Sequence, residues 1–321
     1  MSYAQGDLIE ATDYNNLLGT NTTTNTSTIH ACWAWGTGSR GYGQTPISNV
    51  SVAGTVTATQ WATLVNTINS ANLHIRNTSS GLTANTAGQT IGFSGGLPVA
   101  ITRINQDRLL FATNSAVITN HNSLTAYSAW TSATTTSTLT RSFGVNVAFA
   151  SPDRARFFFN AGGRLKFNIS CVNNGGAGSR SAAVTDMFGF LGGLALVGSL
   201  TNGGRTGTGG TVVTNDTAKG YYDITTSNVT IVSVTSTTTN YTTDTGTITY
   251  RTNLQPEGSF GDRGSILSFW CTINSTSGGN SGGSFDDSLN VTPTVTIDVS
   301  YPETVNLANT WGAVTVTRQG S

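Results

Sequence analysis

Three histidines, three cysteines and three glutamates are the scarce groups with which this 321-residue chain could do metal or proton-transfer chemistry. A helix that grips zinc presents two imidazoles one turn apart, and a zinc ribbon presents paired thiolates. His30, His74 and His121 share no such spacing, and there is no H-E-x-x-H and no C-x-x-C. No metal and no cofactor is expected. Cleaving a sugar bond takes two carboxylates flanking it. Glu10, Glu257 and Glu303 stand alone, and nothing in the spacing assigns a pair among Asp153, Asp186, Asp223, Asp262, Asp286 and Asp287. The adjacent Asp286 and Asp287 follow a Gly/Ser loop and read as a solvated turn, with calcium binding as the sharper alternative. One G-x-S-x-G match occurs at Gly279–Gly283. A nucleophile elbow needs a strand before the serine and a helix after it. The apolar alternation before it ends at Ile273, and Ser284–Asp287 has no helical face, so the match reads as chance. The glycine segments Gly203–Gly210 and Gly278–Gly283 do not open onto a basic helix start, so they read as loops and not phosphate cradles. The chain is therefore not expected to be an enzyme.

Charge narrows the partners. Fifteen basic and fifteen acidic residues cancel, and lysine occurs only at Lys166 and Lys219. Nucleic acids and anionic membranes are bound by clustered cations, which are missing here. Charged residues are 9% of the chain, against roughly 25% in ordinary soluble proteins. Ser, Thr, Asn and Gly replace them, so the surface is polar but nearly uncharged. Cys32, Cys171 and Cys271 are an odd, widely spaced set that reads as isolated core thiols of a protein made in a reducing cytoplasm. The opening residues lack the basic and apolar regions of a signal peptide. The apolar run Met187–Val197 is too short to cross a bilayer. Trp33, Trp35, Tyr42, Trp130 and Trp311 read as core or subunit-interface residues, with stacking on a glycan as the alternative.

The elements that would position these groups change along the chain. Thr12 can cap a short helix carrying Tyr14, Leu17 and Leu18, and Gly19 ends it. Thr57 and Gln60 have the spacing of a capping box, and Val56 and Trp61 that of a hydrophobic staple. Trp61, Leu64, Val65, Ile68 and Ile75 then line one face of a helix. Residues 1–75 thus form a small helical region whose apolar stripe calls for a partner, either the Tyr14–Leu18 helix or a neighbouring subunit. Trp61, Leu64, Val65, Ile68, Trp33, Trp35 and Tyr42 are its candidate interface. Residues 76–127 read as a linker or arm with a short helix near Ile101–Ser115. Residues 128–321 read as a β-rich domain. In it Phe143, Val145, Val147 and Phe149 alternate with small or polar residues, as do Leu165, Phe167, Ile169 and Cys171; Leu267, Phe269, Cys271 and Ile273; and Val295, Ile297, Val299 and Tyr301, and Val314 and Val316 mark a last short strand. The threonine-rich run from Val212 to Arg251 suits strands. Val184, Met187, Phe188, Leu191 and Ala195 fit a helix lying on the sheet. The fold class is mainly β with a few helices (α+β): a helical N-terminal region, then an antiparallel β-sandwich-like domain.

Three blocks carry a likeness. The opening MSYAQGDLIEATDYNNLLG, the block GTGSRGYGQTPISNVSVAGTVTATQWATLVNTINSANLH and the block SPDRARFFFNAGGRLKF together resemble structural proteins of T4-like phages of marine and freshwater bacteria. They cover about a quarter of the chain, and the remainder from Asn174 on is similar only in style. The resemblance implies a virion protein, tail-associated or fibre-like, and brings no catalytic residues with it. In the third block Gly162 and Gly163 allow a tight turn, Asp153 can cap a helical turn, and Phe157, Phe158 and Phe159 cannot all face one way.

The expectation is a non-enzymatic structural component of a phage particle: a tail, baseplate or neck appendage subunit of fibre or adhesin type. A tail-associated glycan hydrolase and a capsid decoration protein are the alternatives. The chain would be a homo-oligomer, a trimer in a fibre or else a ring. It would be assembled in the host cytoplasm into the virion, beside other phage structural proteins and within reach of a host surface glycan. The N-terminal region would dock to the particle, and the β-domain would stay folded without it.

Overall fold

The computed structural model describes residues 9–20, 25–84, 86, 96–110, 114–118, 121, 127–132, 138–175, 179–198, 202–239, 241–252, 261–276 and 288–320. Glu257, the Gly279–Gly283 match and Asp286–Asp287 lie outside them. The chain is mainly β, with two antiparallel sheets and six helices among the described residues. The helices are α1 (Ala11–Leu18), α2 (His30–Trp33), α3 (Ala58–Arg76), α4 (Gly96–Asp107), α5 (Pro152–Asn160) and α6 (Arg180–Leu191). The strands are β1 (Asn114–Ile118), β2 (Trp130–Ser132), β3 (Leu139–Ala148), β4 (Arg164–Asn173), β5 (Gly193–Val197), β6 (Asn202–Arg205), β7 (Thr211–Asn215), β8 (Val229–Thr235), β9 (Thr245–Thr252), β10 (Ile266–Ser275), β11 (Leu289–Pro302) and β12 (Thr315–Gln319). The first sheet runs β1-β11-β4-β5-β6, with β2 also on β11, and the second runs β12-β3-β10-β9-β8-β7.

Local chemistry explains most helix starts. Thr57 Oγ1 accepts from the Gln60 N–H at 3.3 Å, and Gln60 Oε1 accepts from the Thr57 N–H at 2.9 Å. This capping box opens α3, which runs to Arg76. The cap of α1 is different from the one expected. The backbone of Glu10 bridges to Thr55, and the helix begins at Ala11, so Thr12 lies inside it. Pro98 lies in the first turn of α4, where a missing N–H is tolerated, and the helix stops at Asp107, short of the expected Ser115, which belongs to β1. Ser151, not Asp153, caps α5 by accepting from the Arg154 N–H at 3.2 Å, and Asp153 instead pairs with Arg156. Asn202–Arg205, expected in a loop, forms β6 because β5 supplies backbone partners.

The apolar alternation faces inward on both sheets, and Phe167 of β4 stacks on Phe269 of β10 with centroids 5.7 Å apart. Helix α6 buries Ala183, Val184, Met187, Phe188 and Leu191 and leaves Asp186 and Gly189 exposed. It packs against β4 and β11 of one sheet and β8, β9 and β10 of the other, so it lies between the sheets and not on one of them. It ends at Leu191, and Ala195 belongs to β5. No described helix is long and apolar enough to cross a membrane.

One apolar core runs from α1, α3 and α4 into both sheets. Residue 75 does fall at the end of α3. The segment before it is nonetheless not a separate body, because its apolar side is part of the same core as the strands.

Candidate functional site

The loop from Gly36 to Gln44 is the junction of the molecule. Asn160, at the end of α5 and fully buried, points its amide at it. Nδ2 donates to the carbonyls of Gly38, Arg40 and Gly41 at 3.0, 2.9 and 3.0 Å. Oδ1 accepts from the Tyr222 hydroxyl, which fixes the amide's orientation. One turn earlier the buried Arg156 guanidinium donates to the carbonyls of Gly36 and Arg40 at 2.6 and 2.7 Å. Phe157 packs on Gly43, where a Cβ would come within 2.3 Å of the ring, so only glycine fits. Phe158 and Phe159 fill the core while Phe157 stays half-buried, which is how the three rings divide. The turn after α5 uses Gly162 at φ 96°.

Other elements hold the same loop. Arg108 donates to Ser39, and Tyr42 donates to the Arg108 carbonyl at 2.8 Å. Gln44 forms a two-way amide pair with the backbone of Ala308, at 2.9 and 2.8 Å. Thr310 adds a bond to the Tyr42 carbonyl at 2.7 Å. Helices α4 and α5, the turn at Tyr222 and the segment before β12 are thereby tied to one glycine-rich loop. Asn160 and Arg156 belong to the third resembling block, and Gly36–Gln44 opens the second.

The candidate interface residues mostly land inside. Trp61, Leu64, Val65 and Ile68 are buried at 1, 0, 2 and 0% exposure, and Tyr42 at 1%. Their stripe is completed by this chain's own core, so a partner has nothing to cover there. Their place in the chain's own core corrects the expectation that a partner covers these five residues. Trp33 and Trp35 remain half-buried. Trp33 donates to the Thr45 carbonyl at 3.0 Å, and Trp35 to that of Thr20. Trp35 lines a surface groove of about 550 Å³ with His30, Pro46 and Ile47. Trp130 and Trp311 are core residues.

His30 Nε2 accepts from the Ile47 N–H at 2.9 Å, so Nδ1 carries the proton toward the Gly19 carbonyl at 3.3 Å. Burial lowers its pKa, and the Gly19 bond only partly opposes that. Cys32 and Cys271 are buried and Cys171 half-buried. Burial pushes the Cys32 thiol up to about 11, the opposite of what a nucleophile needs. Among the described residues no three His, Cys, Asp or Glu side chains group as a metal site.

The exposed feature that sequence reasoning passed over is Trp270. Between the inward Phe269 and Cys271, strand alternation puts it on the outer face of the second sheet, half-exposed. That alternation was the available signal. Comparisons with protein-family models, with curated proteins and with solved structures returned no match.

Proposed function

We infer that the chain is a non-enzymatic structural subunit of a bacteriophage particle, part of a tail, baseplate or neck appendage of fibre or adhesin type. The observation that carries this reading is the clamp. Short resembling blocks scattered over a surface would mean little. Here Arg156 and Asn160 of one block hold the carbonyls of Gly36, Gly38, Arg40 and Gly41 of another. The likeness therefore belongs to a single packed unit that joins helices to sheets.

The subunit works as a homo-oligomer, a trimer in a fibre or a ring at the neck or baseplate. The contact to a second copy uses β7, an edge strand without charge whose Val212 and Val213 are 43 and 65% exposed. Uncharged, exposed edges pair with other chains. The opposite edge, β12, is blunted by Arg318 and by Tyr127, whose hydroxyl donates to the Gln319 carbonyl at 2.6 Å.

Locating the chain in images of whole particles, with an antibody label, tests the assignment. Multiple copies on a tail, baseplate or neck are expected, and label on the capsid would make it a decoration protein. Absence from intact particles, together with release of reducing sugar from host polysaccharide by the purified protein, would replace the reading with a glycan hydrolase.

A further inference from the structure

We propose that the outer face of the second sheet, centred on Trp270, is a binding surface for a neutral polysaccharide. Strand register lays this face out in rows. Gly144, Trp270, Thr249 and Thr230 form one row across β3, β10, β9 and β8. Ser142, Thr272, Thr247 and Ser233 form the next, and Thr140, Asn274, Thr245 and Thr235 a third. Of the strand residues on the face only Arg251, at the end of β9, carries a charge.

Trp270 is held as a platform. Its indole covers Gly144 on the neighbouring strand, where a Cβ would come within 2.7 Å of Cδ2 and Cε3. The indole is half-exposed, with its N–H edge buried, so carbon surface of the ring is what reaches solvent. The hydroxyls and amides around it are already ordered by one another. Ser142 and Thr272 hydroxyls meet at 2.8 Å, and Thr140 donates to Asn274 at 2.7 Å.

This chemistry selects the occupant. The C–H face of a pyranose is weakly positive and suits the negative face of an indole. Strands lie about 4.8 Å apart, so Thr272, Thr247 and Ser233 set hydroxyl-bearing residues on neighbouring strands at close to the repeat of a sugar chain. Without clustered charge the face does not attract an anionic glycan. A second copy is less suited, since the core of a protein interface is apolar and depleted in serine, and burying this ladder would strip water from hydroxyls that gain no partner. A sugar's hydroxyls replace that water bond for bond.

The purified full chain titrated with neutral hexasaccharides of glucose and of N-acetylglucosamine, read by calorimetry and saturation-transfer NMR, tests this. Saturable binding of at least one is expected, weakened about tenfold in Trp270→Ala, which corresponds to about 1.4 kcal/mol. Gly144→Val should weaken it as well by lifting the indole, whereas Trp33→Phe should not. Circular dichroism checks that each variant is folded, and Trp270→Phe, which keeps a ring, should retain most binding. Four results would each overturn the proposal: no binding of any neutral hexasaccharide, binding unchanged in folded Trp270→Ala, binding only to a heparin hexasaccharide, or loss of self-association in Trp270→Ala. The assay uses free protein, so its failure leaves the virion assignment standing, and failure of that assignment leaves this face intact.

Discussion

His74 Nδ1 and Glu303 Oε1 meet at 2.8 Å, joining α3 to the segment that follows β11 across 229 residues of sequence. His74 is fully buried, and burial lowers its pKa against the pull of Glu303. Burial would raise the Glu303 carboxyl, but bonds from His74, Asn306 and Val305 outweigh it and hold the group below the usual carboxylate range. A depressed carboxyl contributes stability above its unfolded pKa, near 4.3, and loses it as pH falls through the folded value. Glu303→Gln should cost about 2 kcal/mol at neutral pH. It should also flatten the fall in stability below about pH 4.3. Urea unfolding as a function of pH checks both, and an unchanged acid limb would refute the role of this pair.

His30 predicts a second pH window. It is held neutral in the fold, so the unfolded state takes up its proton first as pH drops below about 6.5. Stability from this residue is present above that pH and lost below it. His74 acts in the same direction. His30→Asn, which can keep the bond to the Gly19 carbonyl, should lower the proton uptake that accompanies unfolding as pH falls below about 6.5. Unfolding free energies measured between neutral pH and that region would show it, and an identical slope in the variant would count against it.

The clamp predicts a large local loss. Asn160→Ala leaves the Gly41 carbonyl without its donor and removes one of two bonds to each of the Gly38 and Arg40 carbonyls, and about 2 kcal/mol is expected. Limited proteolysis should then cut first between Gly36 and Gly43. A variant as stable and as resistant as the parent would mean that the clamp is incidental.

Removing residues 1–75 should not leave a folded β-domain. The truncation would uncover Arg156, Asn160 and Glu303 and the apolar side of α4. The expected product is insoluble or lacks a cooperative thermal transition, and a sharp transition by calorimetry would restore an autonomous β-domain.

The capping box gives the smallest effect. Thr57→Ala should destabilise by about 1 kcal/mol and Thr57→Ser by much less. Chemical unfolding of the two variants, side by side, is the check.

What the sequence determined by itself is the set of interactions that close within a few residues. The α3 start is written in Thr57 and Gln60, three residues apart. Strand faces follow from the two-residue alternation of Phe143, Val145 and Val147, and the same rule places Trp270 outside. What only the tertiary structure decided is where an apolar stripe finds its cover and where buried polar groups find partners. Trp61, Leu64, Val65 and Ile68 announce that they will be buried, but no local rule says whether by a second copy or by their own chain. Asn160 is 119 residues from the Gly41 carbonyl it holds, and Gln44 is 264 from Ala308. A hydrogen bond acts over about 3 Å and carries no trace of chain separation, so pairings of this kind exist only once the sheets and helices have packed.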